Sequence, residues 1–132
     1  MIENKIPKPA IAIGNKIFWG AGATTSYQAG YKLSKLVEII DPVTNFTLVD
    51  CITPKSMFRA VKKNGYVIFF TGYNNGPGNT IDIYNTDTNT WSTGALPVNI
   101  SGAAIISVNN RVYVAGGKVN GVYSSQVWEL DF

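Results

Sequence analysis

Apolar residues in this chain come in short runs, each closed by glycine, proline, asparagine or aspartate. Runs of this length with a breaker at each end read as β-strands rather than helices. The runs also repeat. Gly14-Asn15-Lys16-Ile17-Phe18-Trp19-Gly20-Ala21-Gly22 superposes without gaps on Asn64-Gly65-Tyr66-Val67-Ile68-Phe69-Phe70-Thr71-Gly72 and on Asn109-Asn110-Arg111-Val112-Tyr113-Val114-Ala115-Gly116-Gly117. Each copy is a turn dipeptide, an apolar strand and a terminal glycine (Gly22, Gly72, Gly117), where a bulge or left-handed backbone costs least.

A second segment recurs behind the first: Val37-Glu38-Ile39-Ile40-Asp41, Ile81-Asp82-Ile83-Tyr84-Asn85 and Val127-Trp128-Glu129-Leu130-Asp131. It predicts a further strand, buried on at least one face. Pro42-Val43-Thr44-Asn45 and Thr86-Asp87-Thr88-Asn89 then supply turn chemistry that reverses the chain into an outer strand. Trp91 opens that strand in the second copy; the matching place in the first holds Thr47, with Phe46 beside it as a substitute. Pro54 or Pro97 follows, and the chain enters the next inner strand, as at Ala103 to Val108. Each unit is therefore four short strands. A generic antiparallel sandwich with glycine-rich turns is the competing arrangement, but it does not explain why the features return in the same order.

Length and composition agree with one β-rich domain. The chain has 132 residues, enough for one compact core, with 13 glycines and only 14% charged residues. Its net charge of +3 comes from scattered basic residues rather than a stripe, so no nucleic-acid partner is expected. A single cysteine, Cys51, excludes an intrachain disulfide, and no Cys/His spacing points to a metal; no cofactor is expected. No run of 18 apolar residues marks a membrane span, and the polar start MIENKIPKP lacks the apolar stretch of a secretory leader. If Met1 is the native start, a cytoplasmic protein is expected. The sequons at Asn45 and Asn99 would matter only in a eukaryotic secretory setting.

Taken together, these residues resemble the kelch repeat, in which a strand ends in a glycine pair, a second ends in Tyr-Asp, and Thr-Asn-x-Trp follows. Arg111 to Gly117, ending in the pair Gly116-Gly117, fits the first part; Ile83 to Trp91 fits the second. The other copies depart from the pair, with Ala21-Gly22 and Thr71-Gly72, and the third stops before any tryptophan. The resemblance implies an all-β protein made of kelch-like β-propeller blades, about three four-stranded antiparallel blades per chain, forming half of a six-bladed ring or a fragment of a longer one. The frame places a blade-closing outer strand at 1–6, repeat one at 7–53, repeat two at 54–96 and repeat three at 97–132. Because propellers typically have four to eight blades, either a second copy completes the ring as a homodimer, with the 1–6 strand finishing the third blade, or further sequence does.

Catalysis has little to work with. The chain has no histidine, which removes the usual general base near neutral pH. Cys51 without such a partner reads as a small hydrophobe. The carboxylates Glu38, Asp82 and Glu129 fall on separate blades, while Asp41 and Asp131 begin turns, so no paired acid and base is predicted.

A binding surface is better supported. The loops between second and third strands, and the proline-containing connections, should emerge on one rim. That rim collects Tyr27, Gln28, Tyr31, Tyr73, Asn74, Asn75, Lys118, Asn120 and Tyr123, with Arg59 at the channel mouth. Tyrosine offers area plus a hydrogen-bonding tip and asparagine offers donors and acceptors, chemistry suited to peptides and sugar hydroxyls alike. By resemblance to kelch propellers, the expected function is a non-enzymatic interaction module binding a protein; the alternatives are carbohydrate binding or processing, and a purely structural self-assembling half-propeller.

Overall fold

The computed structural model describes residues 10–23, 33–43, 45–55, 59–70 and 78–131, and among them the structure is entirely strand and turn. Three antiparallel sheets follow one another along the chain. The first contains β1 (Ala10–Ile13), β2 (Lys16–Ala23), β3 (Leu33–Asp41) and β4 (Asn45–Lys55) in sequential order. The second repeats that order with β5 (Arg59–Lys63), β6 (Tyr66–Phe70), β7 (Thr80–Asn85) and β8 (Thr90–Ala95). The third sheet is built from β10 (Ala104–Val108), β11 (Arg111–Ala115) and β14 (Val127–Leu130). Its fourth strand was assigned to residues 1–6, which lie outside the described residues.

Strand alternation decides how the sheets stack. In β6, Val67 and Phe69 project to one side and Ile68 and Phe70 to the other, since successive side chains point to opposite faces. All four are fully buried, so the second sheet is covered on both sides. Val67, Phe69 and Tyr84 pack with Phe18, Val37 and Ile39 of the first sheet. Ile68, Phe70, Ile81 and Ile83 pack instead with Val112 and Val114 of the third. The first strands also gather, β5 lying beside both β1 and β10. Sheets stacked face to face, with first strands together on one side, have the arrangement of consecutive propeller blades.

The two seams differ in chemistry. Between the first and second blades the rings interlock, with Phe18 and Tyr84 centroids 5.5 Å apart, Tyr84 and Trp91 4.9 Å, and Phe69 and Trp91 5.6 Å. The second seam is mostly aliphatic inside, with Phe70 and Trp128 as its rings, and polar at its edge. There the Asn64 N–H donates to Asn110 Oδ1 and Asn110 Nδ2 donates to Asn64 Oδ1, both at 2.6 Å. Ser107 Oγ donates to Lys62 O at 2.5 Å, and Lys63 Nζ to Leu130 O at 3.4 Å.

One register differs from the sequence expectation. Ile40 of β3 pairs with Phe46, just as Tyr84 of β7 pairs with Trp91, so Phe46 rather than Thr47 holds the tryptophan's place. The cause is the turn: three residues separate Asp41 from its partner Asn45, against four between Asn85 and Thr90. Both turns are opened by a side-chain acceptor, Asp41 Oδ1 for the Val43 N–H and Asn85 Oδ1 for those of Asp87 and Thr88. Aspartate and asparagine favour turn starts for this reason.

Candidate functional site

The rim formed by the second-to-third-strand loops and the interblade connections carries a structure that the repeat pattern does not contain. Three two-residue strands, β9 (Ile100–Ser101), β12 (Lys118–Val119) and β13 (Val122–Tyr123), form a small sheet with β12 in the centre. Lys118 and Val119 pair with Ser101 and Ile100 on one side and with Tyr123 and Val122 on the other. The loop of the third blade is thus a hairpin fastened to the connection from the second blade. Asn120 and Gly121 form its two-residue turn, with φ of 50° and 84°. Positive φ at both central positions is the type I′ geometry that Asn-Gly favours.

Several backbone bonds tie this rim together. The Asn120 N–H donates to Asn99 O at 3.1 Å, and that of Ser124 to Gly117 O at 2.9 Å. The second blade joins in through Leu96 N to Asn79 O at 2.6 Å and Asn79 Nδ2 to Leu96 O at 3.3 Å. Gly117, with φ +79°, sits where the hairpin leaves β11; a Cβ there would lie 2.6 Å from Ser101 O and 2.8 Å from Ala103 N. Only glycine permits that approach. Its neighbour Gly116 is also left-handed, at φ +65°, but has ordinary space around it. At Gly22 the local irregularity takes another form, a register shift between Gly20 and Gly22 where β2 meets β3. Gly72 lies outside the described residues.

What the hairpin presents is apolar and aromatic. Val122 and Tyr123 are 71% and 82% exposed. Lys118 Nζ stands 4.7 Å from the Tyr123 ring centroid, a cation–π contact across the strand pair. Under the hairpin, Leu96, Pro97, Val98, Ile100, Val114 and Trp128 close an apolar seam with no space for a water molecule.

Four of the residues singled out in the sequence are described. Lys118, Asn120 and Tyr123 fall on this one hairpin, Asn120 as its turn. Arg59 is exposed at the first position of β5, on the same rim but toward the first-strand side. Tyr27, Gln28, Tyr31, Tyr73, Asn74 and Asn75 lie outside the described residues. The signal that the repeat alignment passed over was Asn120-Gly121 between Lys118-Val119 and Val122-Tyr123, a hairpin within a loop.

The carboxylates are arranged differently. Glu38 and Asp82 are fully buried at equivalent repeat positions, paired in register with Trp19 and Phe69. Asp82 shares the face of Phe69, toward the first blade, whereas Glu38 alternates with Val37 and Ile39 and so lies on the far side of the first sheet. A β-sheet stands between them. Glu129 is exposed and meets Arg111 at 3.5 Å. Among the described residues, no cluster of three metal-ligating side chains occurs, and no helix is long and apolar enough to cross a membrane.

The architecture is that of β-propeller blades. Residues 100–132 match the Kelch motif family. A solved chain described as "Structure of YjhT" is similar in fold, with a TM-score of 0.57 and 17% identity over 89% of this chain and 37% of that one. The chain thus spans little more than a third of that protein's length. No curated protein matches. A Kelch motif over the third blade and a propeller-like fold over most of the chain are thus what this protein shares with known ones.

Proposed function

We propose that this kelch-type module binds a protein partner through the loop rim, with the Lys118–Tyr123 hairpin as the central contact. The observation that carries this reading is an exposed tyrosine and valine held on a hairpin that is itself hydrogen-bonded to the blade connection. Large apolar groups normally avoid solvent, and a rigid aromatic loses little conformational entropy when a partner covers it. Exposed rather than recessed, these side chains fit a partner with a complementary surface rather than a sugar enclosed in a pocket. Arg59 extends the rim with a charge able to grip a carboxylate.

The test is affinity capture with the intact chain, followed by titration of each captured protein against Tyr123→Ala and Val122→Asp. A true partner should bind at least about thirtyfold more weakly to Tyr123→Ala, the loss expected of a central aromatic contact. It should be indifferent to Asp87→Ala on the opposite rim. A glycan array provides the contrary arm: saturable binding to a sugar, abolished by the same substitutions, would replace the protein-binding reading with the carbohydrate one.

A further inference from the structure

The rim sheet has two edges, and the alternation of backbone groups along β12 fixes what each one offers. In an antiparallel ladder, pairs that exchange both hydrogen bonds alternate with pairs whose N–H and C=O point away from each other. Extending the β12–β13 register by one residue sets Gly117 opposite Ser124, and the Ser124 N–H donates to Gly117 O at 2.9 Å. That pair is hydrogen-bonded, so the next one, Lys118 with Tyr123, is not. The main-chain N–H and C=O of Tyr123 therefore point away from β12. The β9 side agrees. There the Asn120 N–H donates to Asn99 O at 3.1 Å, so Lys118, two residues back, turns its own backbone groups toward Ser101 and away from Tyr123.

By the same alternation Ile100 faces outward from β9, and there its groups are covered. Its N–H donates to Gly78 O at 3.5 Å, and a Cβ on Gly78 would lie 3.3 Å from Ile100 O. The second blade thus fills the β9 edge. β13 is the opposite edge, and among the described residues nothing pairs with its outer side. Tyr123 there is 82% exposed and Val122 71%. The rim sheet so presents a backbone donor and acceptor to solvent, flanked by apolar side chains, on a strand end that has room for a further strand.

On the reading that the rim binds a protein, we propose that an extended segment of the partner adds a strand alongside β13 and exchanges main-chain hydrogen bonds with Tyr123. Strand addition draws its affinity from the backbone and its specificity from alternate side chains. The segment's residue opposite Tyr123 projects to the face of Tyr123 and Lys118, where an aromatic or β-branched side chain packs on the ring. Its two neighbours project to the face of Val122 and are apolar. Two residues make a short edge, which limits non-specific pairing between chains, so these side chains decide which segment stays.

The probe is a display library of random linear peptides, selected on the intact chain and counter-screened against Tyr123→Ala. For peptides that need Tyr123, exchange of the Tyr123 amide should slow at least about tenfold in the complex, and N-methylation of the peptide should weaken binding at least about tenfold at the paired residue while changing little at either neighbour, whose N–H faces away. Peptides that need Tyr123 but show neither effect are held by side chains alone, which overturns strand addition and leaves the rim as the binding surface. If every selected peptide is indifferent to Tyr123→Ala, both readings fail. Protection of the Tyr123 amide that grows with protein concentration in the absence of peptide also overturns the proposal, since a second copy then fills the edge.

Discussion

Alanine at Gly117 separates a steric requirement from a merely conformational one. A Cβ there would stand 2.6 Å from Ser101 O, 2.8 Å from Ala103 N and 3.0 Å from Ala103 Cα. All three are backbone atoms, so no side-chain rotation relieves the contact and the β9–β12 pairing must open. Adopting φ +79° costs alanine about 1–2 kcal/mol. Losing the bonds between the hairpin and the connection, including Asn120 N–H to Asn99 O, adds about 1 kcal/mol for each of two. The expected destabilisation is about 3–4 kcal/mol, a large share of a total stability of ~5–15 kcal/mol. Gly121→Ala is the matched comparison: its φ of +84° carries a similar backbone penalty, but nothing lies within 4 Å of its Cβ. Urea unfolding followed by tryptophan fluorescence should show Gly117→Ala losing at least twice the stability lost by Gly121→Ala. Amide exchange should accelerate selectively in β9 and β12. Equal losses for the two variants would refute the steric account of the second kelch glycine.

Three further outcomes follow from the seams. Phe69→Ala empties a fully buried site between the first two blades and should cost about 3–5 kcal/mol in the same unfolding measurement. Burial holds the Tyr84 phenol above its ordinary value of 10.0, which favours the protonated folded state. That contribution is intact below pH 10 and is lost as pH rises through the folded value; Tyr84→Phe should flatten the alkaline fall in denaturation midpoint. A double-mutant cycle of Asn64→Gly and Asn110→Gly, both compatible with the left-handed backbone, should return a coupling of about 1 kcal/mol, and a value near zero would mean that the clasp adds nothing to the seam.

The blades were legible in the sequence because burial on both faces imposes a pattern that recurs. Val67 to Phe70 read as one unbroken apolar run, and the structure shows why: alternate residues enter two different seams. The position of Phe46 was less legible. It depends on a turn one residue shorter than its counterpart, and turn length is not visible in an alignment made from the strands alone. The small rim sheet was hidden for another reason. Its strands are two residues each, too short for alternation to register, and β9 meets β12 only because the β10–β11 pairing continues in the same register past Gly116 and Gly117. Asn120-Gly121 was the readable sign of it. Repeat logic assigns the same role to equivalent positions, and this hairpin has no equivalent elsewhere among the described residues.

Because the hairpin is bonded to the segment that crosses from one blade to the next, it works as a strain gauge for that crossing. Tyr123 is joined through β12 to β9, while Asn64 and Asn110 hold the same pair of blades at the opposite rim. Were the proposed partner to bind the rim more tightly when the blades are closely stacked, binding and stacking would be thermodynamically linked. A partner that prefers the closely stacked state must raise the free energy needed to part the blades, and a substitution that loosens the stack must weaken that partner by the same factor.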